Sequence, residues 1–180
     1  MKIRRVVMGH DPEGRSVVLA DEAVEPVTLS LFPPGTAIHR AWELDGPPAL
    51  PVTDVPPSPV GTPFFPGPGG IRCGFLTVPP GMSYEPPAGV DLQAAMAEME
   101  EKMPGLASSF DPSRPGMHTT ATTDFIVVVA GEGRMQTDDG VEVRLSAGDC
   151  LIQNGTAHAW FNDGPEPLVV AFTLFGAMAS

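Results

Sequence analysis

Two of the four histidines, His118 and His158, each stand at one end of a β-patterned run, and Asp124 lies between them. A neutral imidazole moves protons near neutral pH because its ordinary pKa lies there. It is also a good ligand for divalent transition metals. A carboxylate beside an imidazole sets its tautomer or raises its affinity for a proton. Types and order therefore point to acid–base or metal chemistry between residues 116 and 162.

The first run reads Gly116-Met-His118-Thr-Thr120-Ala-Thr122-Thr-Asp124-Phe-Ile-Val-Val-Val-Ala-Gly131. A threonine-rich segment passes into β-branched and aromatic residues, the composition of a largely buried strand with a polar mouth. The second run, Gly148-Asp149-Cys-Leu-Ile-Gln153-Asn-Gly155-Thr-Ala-His158-Ala-Trp160-Phe-Asn162, predicts a short apolar strand, a glycine turn and a further strand starting near His158. Asp138-Asp139-Gly140 between the two runs is a strong hairpin signal. Side chains on a strand share a face every two residues. Thr120 and Thr122 are thus expected to face the same mouth as His118, with Gln153 joining them across the glycine turn. Trp160 shares the face of His158, where it either stacks on a substrate ring or forms ordinary core.

These runs resemble the two motifs of the cupin superfamily, small antiparallel barrels that often hold one metal in the barrel mouth. In the first motif, G-x5-H-x-H-x3,4-E-x6-G, His118 fits the first histidine, Asp124 the glutamate and Gly131 the closing glycine. Thr120 stands at the second histidine and Pro112 at the opening glycine. In the second, G-x5-P-x-G-x2-H-x3-N, Gly148, Gly155, His158 and Asn162 match. The spacing is one residue short after Gly148, and Gln153 replaces the proline. Within the superfamily the chain is similar to small single-domain proteins with H-x5-D-[FY] and G-D-x3-Q-x-G-x2-H-A-W-x-N signatures.

The resemblance implies an all-β fold, a cupin-type antiparallel β-barrel (jelly roll) with one inserted helix and a long proline-rich N-terminal arm. It further implies His118, Asp124 and His158 as a metal-ligand or catalytic set. Two imidazoles and one carboxylate suit iron, manganese, nickel or zinc and leave coordination positions open for substrate or dioxygen. Thr120 in place of a histidine removes a donor, and aspartate is about 1.5 Å shorter than glutamate. Three readings follow: a mononuclear metal enzyme of oxygenase, lyase or isomerase type; a metal-free lyase, isomerase or dehydratase with histidine acid–base catalysis; and a non-catalytic module that binds a small ligand. No nucleotide cofactor is expected.

With 180 residues, 42% of them hydrophobic, the chain is long enough for a substantial core and reads as a single domain over 1–180, with residues 1–70 as N-terminal strands and arm and 71–180 as barrel. The formal net charge of −12 argues against nucleic acid or an anionic membrane as partner and favours a small molecule. No apolar stretch reaches the length of a signal peptide or membrane span, so a cytoplasmic protein is expected. Cys73 and Cys150 are too few for a disulfide framework and read as reduced packing residues. A homodimer is expected by analogy with similar small cupins.

Strands are predicted at Ile3 to Met8, Ser16 to Ala20 and Pro26 to Phe32. Residues 33–70 carry 11 of the 22 prolines, which predicts that regular sheet cannot run through them. Their large apolar groups argue for an ordered arm packed on the barrel or on a dimer partner. A strand over Ile71 to Val78 begins the barrel. Residues Asp91 to Met103 predict a helix capped by Asp91, with an apolar stripe of Leu92, Met96, Met99 and Met103 and an acidic opposite face including Glu98. That helix either covers the mouth or packs on the outside. Strands are also predicted from Gly133, Val141, Cys150, His158 and Leu168 onward. His39 is a further candidate for the mouth, His10 reads as solvated, and Tyr84 has no assigned role.

Overall fold

The structure, a computed structural model, describes residues 1–55 and 61–178. The strands are β1 (Ile3–His10), β2 (Ser16–Val24), β3 (Ala37–Leu44), β4 (Ile71–Val78), β5 (Thr122–Ala130), β6 (Glu132–Thr137), β7 (Glu142–Ser146), β8 (Cys150–Asn154), β9 (His158–Phe161) and β10 (Leu168–Gly176), with helix α1 (Leu92–Lys102) before β5. A five-stranded antiparallel sheet, β3-β4-β10-β5-β8, faces a three-stranded sheet, β7-β6-β9, while β1 and β2 form a separate hairpin. This is an antiparallel jelly-roll barrel. Val78, Ile126 and Val170 from the larger sheet and Met135, Leu145 and Trp160 from the smaller one close the interior between them.

Strand β5 shows how the barrel is patterned. Thr122, Asp124, Ile126 and Val128 are buried, whereas Thr123, Phe125 and Val129 are exposed. The β-branched run is thus a one-sided strand rather than a largely buried one. Its outer apolar residues lie on a face shared with Ile152, the register partner of Phe125. Gly131 ends β5 with φ +74°, and a Cβ there would lie 2.3 Å from the Pro167 carbonyl oxygen. Only glycine fits that close approach. Asn162, 1% exposed, donates to the carbonyls of Val78 and Glu166 and accepts from the Gly164 N–H. The second motif's asparagine therefore ties the end of β9 to β4.

Several expectations are corrected. Residues 26–32 form no strand; Val27 makes only an isolated bridge to Ile38. Strand β3 runs inside the proline-rich segment, because the prolines flank it at Pro34 and Pro47 and leave a proline-free stretch long enough to pair with β4. The expected arm thus supplies a strand to the large sheet. The remainder of that expectation includes residues 56–60, which lie outside the described residues. His10 is the last residue of β1 and is partly buried. Cys73 and Cys150 are both free, but Cys150 is exposed on β8 and packs no core.

Helix α1 begins at its cap, where the Asp91 carboxylate accepts from the Ala94 N–H at 3.1 Å. Its buried sector is Ala95, Met99 and Met103, and Leu92 and Met96 point outward. The stripe is rotated because Glu98 does not face open water. Its carboxylate accepts from Ser30 N and Oγ and from Lys102 Nζ, while Lys102 also donates to the Thr28 carbonyl. These bonds hold Glu98 down at about 2, led by Lys102, and dock the helix on the segment before β3. Met99 and Met103 then pack with Val27, Ile38, Phe64 and Leu174 at one end of the large sheet. Met99 is 1% and Met96 44% exposed. Met99→Ala is therefore expected to cost about 2–5 kcal/mol in urea unfolding, whereas Met96→Ala changes stability by about 0.5 kcal/mol or less. Equal losses would contradict this helix orientation.

Candidate active site

The backbone sets the two histidines side by side. His118 precedes β5, and its N–H donates to the His158 carbonyl at 3.0 Å while the His158 N–H returns the bond at 3.0 Å. Such a reciprocal antiparallel pair projects both side chains to the same side. The two ring centroids are accordingly 4.2 Å apart. A second bridge pairs His118 with Phe110, whose ring lies 5.3 Å from the His118 ring.

Each imidazole is oriented by a carbonyl. His118 Nδ1 lies 3.0 Å from the Gly116 oxygen, and His158 Nδ1 lies 2.9 Å from the Thr156 oxygen. A carbonyl only accepts, so in both neutral rings Nδ1 carries the proton and Nε2 keeps the lone pair. Gln153 Nε2 sits 3.1 Å from His158 Nδ1, and it also donates to the Thr156 carbonyl and to Thr156 Oγ1. It braces the same loop that orients the ring. Gly116 has φ +81°, and a Cβ there would overlap the Tyr84 ring.

Burial disfavours the charged form of both rings. It lowers His118 to about 4, helped by the neighbouring His158, and it also lowers His158. Asp124, 4% exposed, moves the other way, pushed up by burial and partly restrained by a hydrogen bond from Thr122. Its Oδ1 has no hydrogen-bond partner among the described residues. Thr120 Oγ1 and Thr122 Oγ1 lie 2.7 Å apart.

His118, Thr120, Asp124, His158 and Trp160 all line one cavity of about 120 Å³ inside the barrel. The rest of its wall is mainly apolar and includes Leu106 and Phe110 from just after α1. Thr122 and Gln153 do not line it. They stand behind the wall and bond to residues that do, so their expected contact with substrate is replaced by a supporting position. Ile38 rather than His39 reaches the cavity; His39 is buried on β3, with no hydrogen-bond partner for its Nδ1 among the described residues. Tyr84, left without a role by its sequence context, lines the cavity, donates to the Trp160 carbonyl at 2.8 Å and accepts from the Trp160 N–H. Burial pushes its phenol up to about 12. No local signal marked it, because its partner lies far along the chain.

The expected three-ligand metal set is not assembled. The two imidazole rings lie side by side, but among the described residues no three His, Cys, Asp or Glu side chains converge closely enough to hold a metal ion. Asp124 shares the cavity without completing a three-ligand set. The donor set does not fit a mononuclear centre, and no chemical step is derived through one.

Residues 109–175 match the family described as the cupin domain. Protein J of the oryzines biosynthesis cluster of Aspergillus oryzae is 40% identical over 48 residues, 27% of each chain. Protein C′ of the phomopsin biosynthesis cluster of Diaporthe leptostromiformis is 34% identical over 88 residues, 49% of this chain and 39% of that one. The matches thus span well under half the length of these curated relatives. A solved Klebsiella pneumoniae protein with a double-stranded β-helix domain is 15% identical, with a TM-score of 0.46 over 87% of this chain and 86% of that one. The strand order, the two motif halves meeting at His118 and His158, and the cupin-domain match across residues 109–175 agree on a barrel of cupin type for this chain.

Proposed function

We propose that the chain is a small-molecule acid–base enzyme in which an imidazole of the His118–His158 pair takes a proton from a small oxygenated compound and returns it at another atom. Isomerisation, dehydration and related lyase reactions fall in that class. The observation that carries this reading is the engagement of both Nδ1 atoms by backbone carbonyls, which leaves the Nε2 lone pair free on each of two rings that line one cavity. A base must be unprotonated at working pH, and burial keeps both rings so. Once one ring accepts a proton, its neighbour 4.2 Å away resists a second. The pair therefore carries one proton at a time. Asp124 lines the same cavity, and in its protonated form, which burial favours, it would donate a hydrogen bond to the substrate oxygen on which charge develops. The biosynthesis clusters to which both curated relatives belong support a biosynthetic role.

Proton transfer is measurable without the natural substrate, as deuterium exchange from D2O into the acidic C–H positions of small cyclic ketones. Wild-type protein after exhaustive chelation should catalyse exchange, and His158→Ala should lower the rate by about 100-fold or more. Exchange that vanishes on chelation and returns with a divalent metal would replace this reading with the metal enzyme. Saturable binding with no exchange in any compound would replace it with the ligand-binding module.

The same neutral rings predict a pH-dependent stability. Unfolded imidazoles titrate near their ordinary value of 6.5 and bind protons before the folded ones, so the fold loses stability as pH falls from 6.5 towards about 4. His118 alone accounts for on the order of 3 kcal/mol across that window. Asp124 acts oppositely: its contribution is present below the ordinary carboxylate value and is lost as pH rises through its raised one. Urea midpoints measured through this window should fall less steeply in His118→Asn, which keeps a donor for the Gly116 carbonyl. Identical slopes would remove the neutral imidazole from the argument.

A further inference from the structure

We propose that the cavity binds an uncharged, ring-sized compound bearing one hydroxyl or carbonyl oxygen that hydrogen-bonds Asp124; this rests on the acid–base reading for the identity of the site.

Size comes first. An enclosed apolar space of about 150 Å³ accepts benzene, and this cavity of about 120 Å³ is on the scale of one small ring. Its aromatic walls, including Phe110 and Trp160, suit the faces of such a ring.

Charge comes next. An ion buried among apolar side chains needs a paired counter-ion to offset its lost hydration. Among the described residues no lysine or arginine lines the cavity. The guanidinium of Arg40 lies behind Phe64, 5.8 Å from that ring centroid. Its N–H groups already serve the Glu43 carboxylate, Thr62 and the Pro63 carbonyl. A carboxylate or phosphate ligand would therefore meet no permanent cation, and the two imidazoles that could take up a proton to offset it are disfavoured as cations by their burial. A cationic ligand would find aromatic faces, but Asp124 is the one carboxylate among the described lining residues, and its burial disfavours the ionised form. An uncharged molecule meets neither penalty.

The oxygen is placed by what is missing. Asp124 lines the cavity, its Oδ1 is buried with no hydrogen-bond partner among the described residues, and a buried polar atom left unpaired is costly. A ligand hydroxyl can serve in either direction, and a ligand carbonyl accepts from the protonated acid. Thr120 Oγ1 lines the same side and is held by Thr122, so the polar contacts gather along β5 and the ring is left to the apolar walls.

Trp42 and Trp160 are the two tryptophans, so Trp42→Phe leaves Trp160, in the cavity wall, as the single tryptophan to be excited selectively. This variant would be titrated at neutral pH with cyclohexanol, cyclohexanone, cyclohexanecarboxylate and cyclohexylammonium. The two uncharged compounds should bind at least about tenfold more tightly than either ion. Adding Asp124→Leu should weaken cyclohexanol several-fold while a bare ring still binds. If that variant does not fold, Asp124→Asn, which keeps the hydrogen bond without a charge, should retain the tenfold preference. Binding of the carboxylate or the ammonium ion as tight as that of the alcohol, absence of saturable quenching by all four, or loss of the preference in Asp124→Asn would each overturn the proposal. Binding with this preference but no deuterium exchange would leave it standing and sink the acid–base reading. Exchange confined to an anionic ketone would do the reverse.

Discussion

The reciprocal backbone bridge between His118 and His158 is the constraint on which the site depends. Its two N–H···O bonds place one imidazole beside the other before any side-chain preference operates. Everything around the bridge then fixes the rings further. Phe110 packs against one of them, the Gly116 and Thr156 carbonyls fix the hydrogen on each Nδ1, and Gln153 holds the loop that carries Thr156. A barrel is well suited to this arrangement because two strands distant in sequence meet at its mouth with their register set by the sheets behind them.

Much of this was legible because the signals were local. The alternation of β5, the Asp138-Asp139-Gly140 turn, the Asp91 cap and the matching of His118 and His158 to two motif halves each follow from a few neighbouring residues. What was not legible depends on distant partners. Tyr84 matters through the backbone of Trp160, and Glu98 through Ser30, and neither contact leaves a trace in its own neighbourhood. Strand β3 was obscured for another reason: averaging prolines over a long window hides a gap between them. Thr122 and Gln153 were placed on the correct elements, but position on a face does not tell lining from support.

The threonine at the position of the motif's second histidine shows how the site departs from a ligating one. In place of an imidazole lone pair, Thr120 contributes a hydroxyl bonded to Thr122, and Thr122 in turn hydrogen-bonds Asp124. Three alternate positions at and before the start of β5 thus make a polar ladder that ends on an oxygen with no partner among the described residues. Hydroxyls and a shielded carboxyl are poor substitutes for a third strong metal donor, but they form a directional set for an oxygen atom in an otherwise apolar space. The two imidazoles sit on the same cavity with their own protons assigned by carbonyls. One part of the wall can therefore hold an oxygen while another moves a proton, and a base with its substrate oxygen held in place needs only those two functions to shift a double bond or expel water.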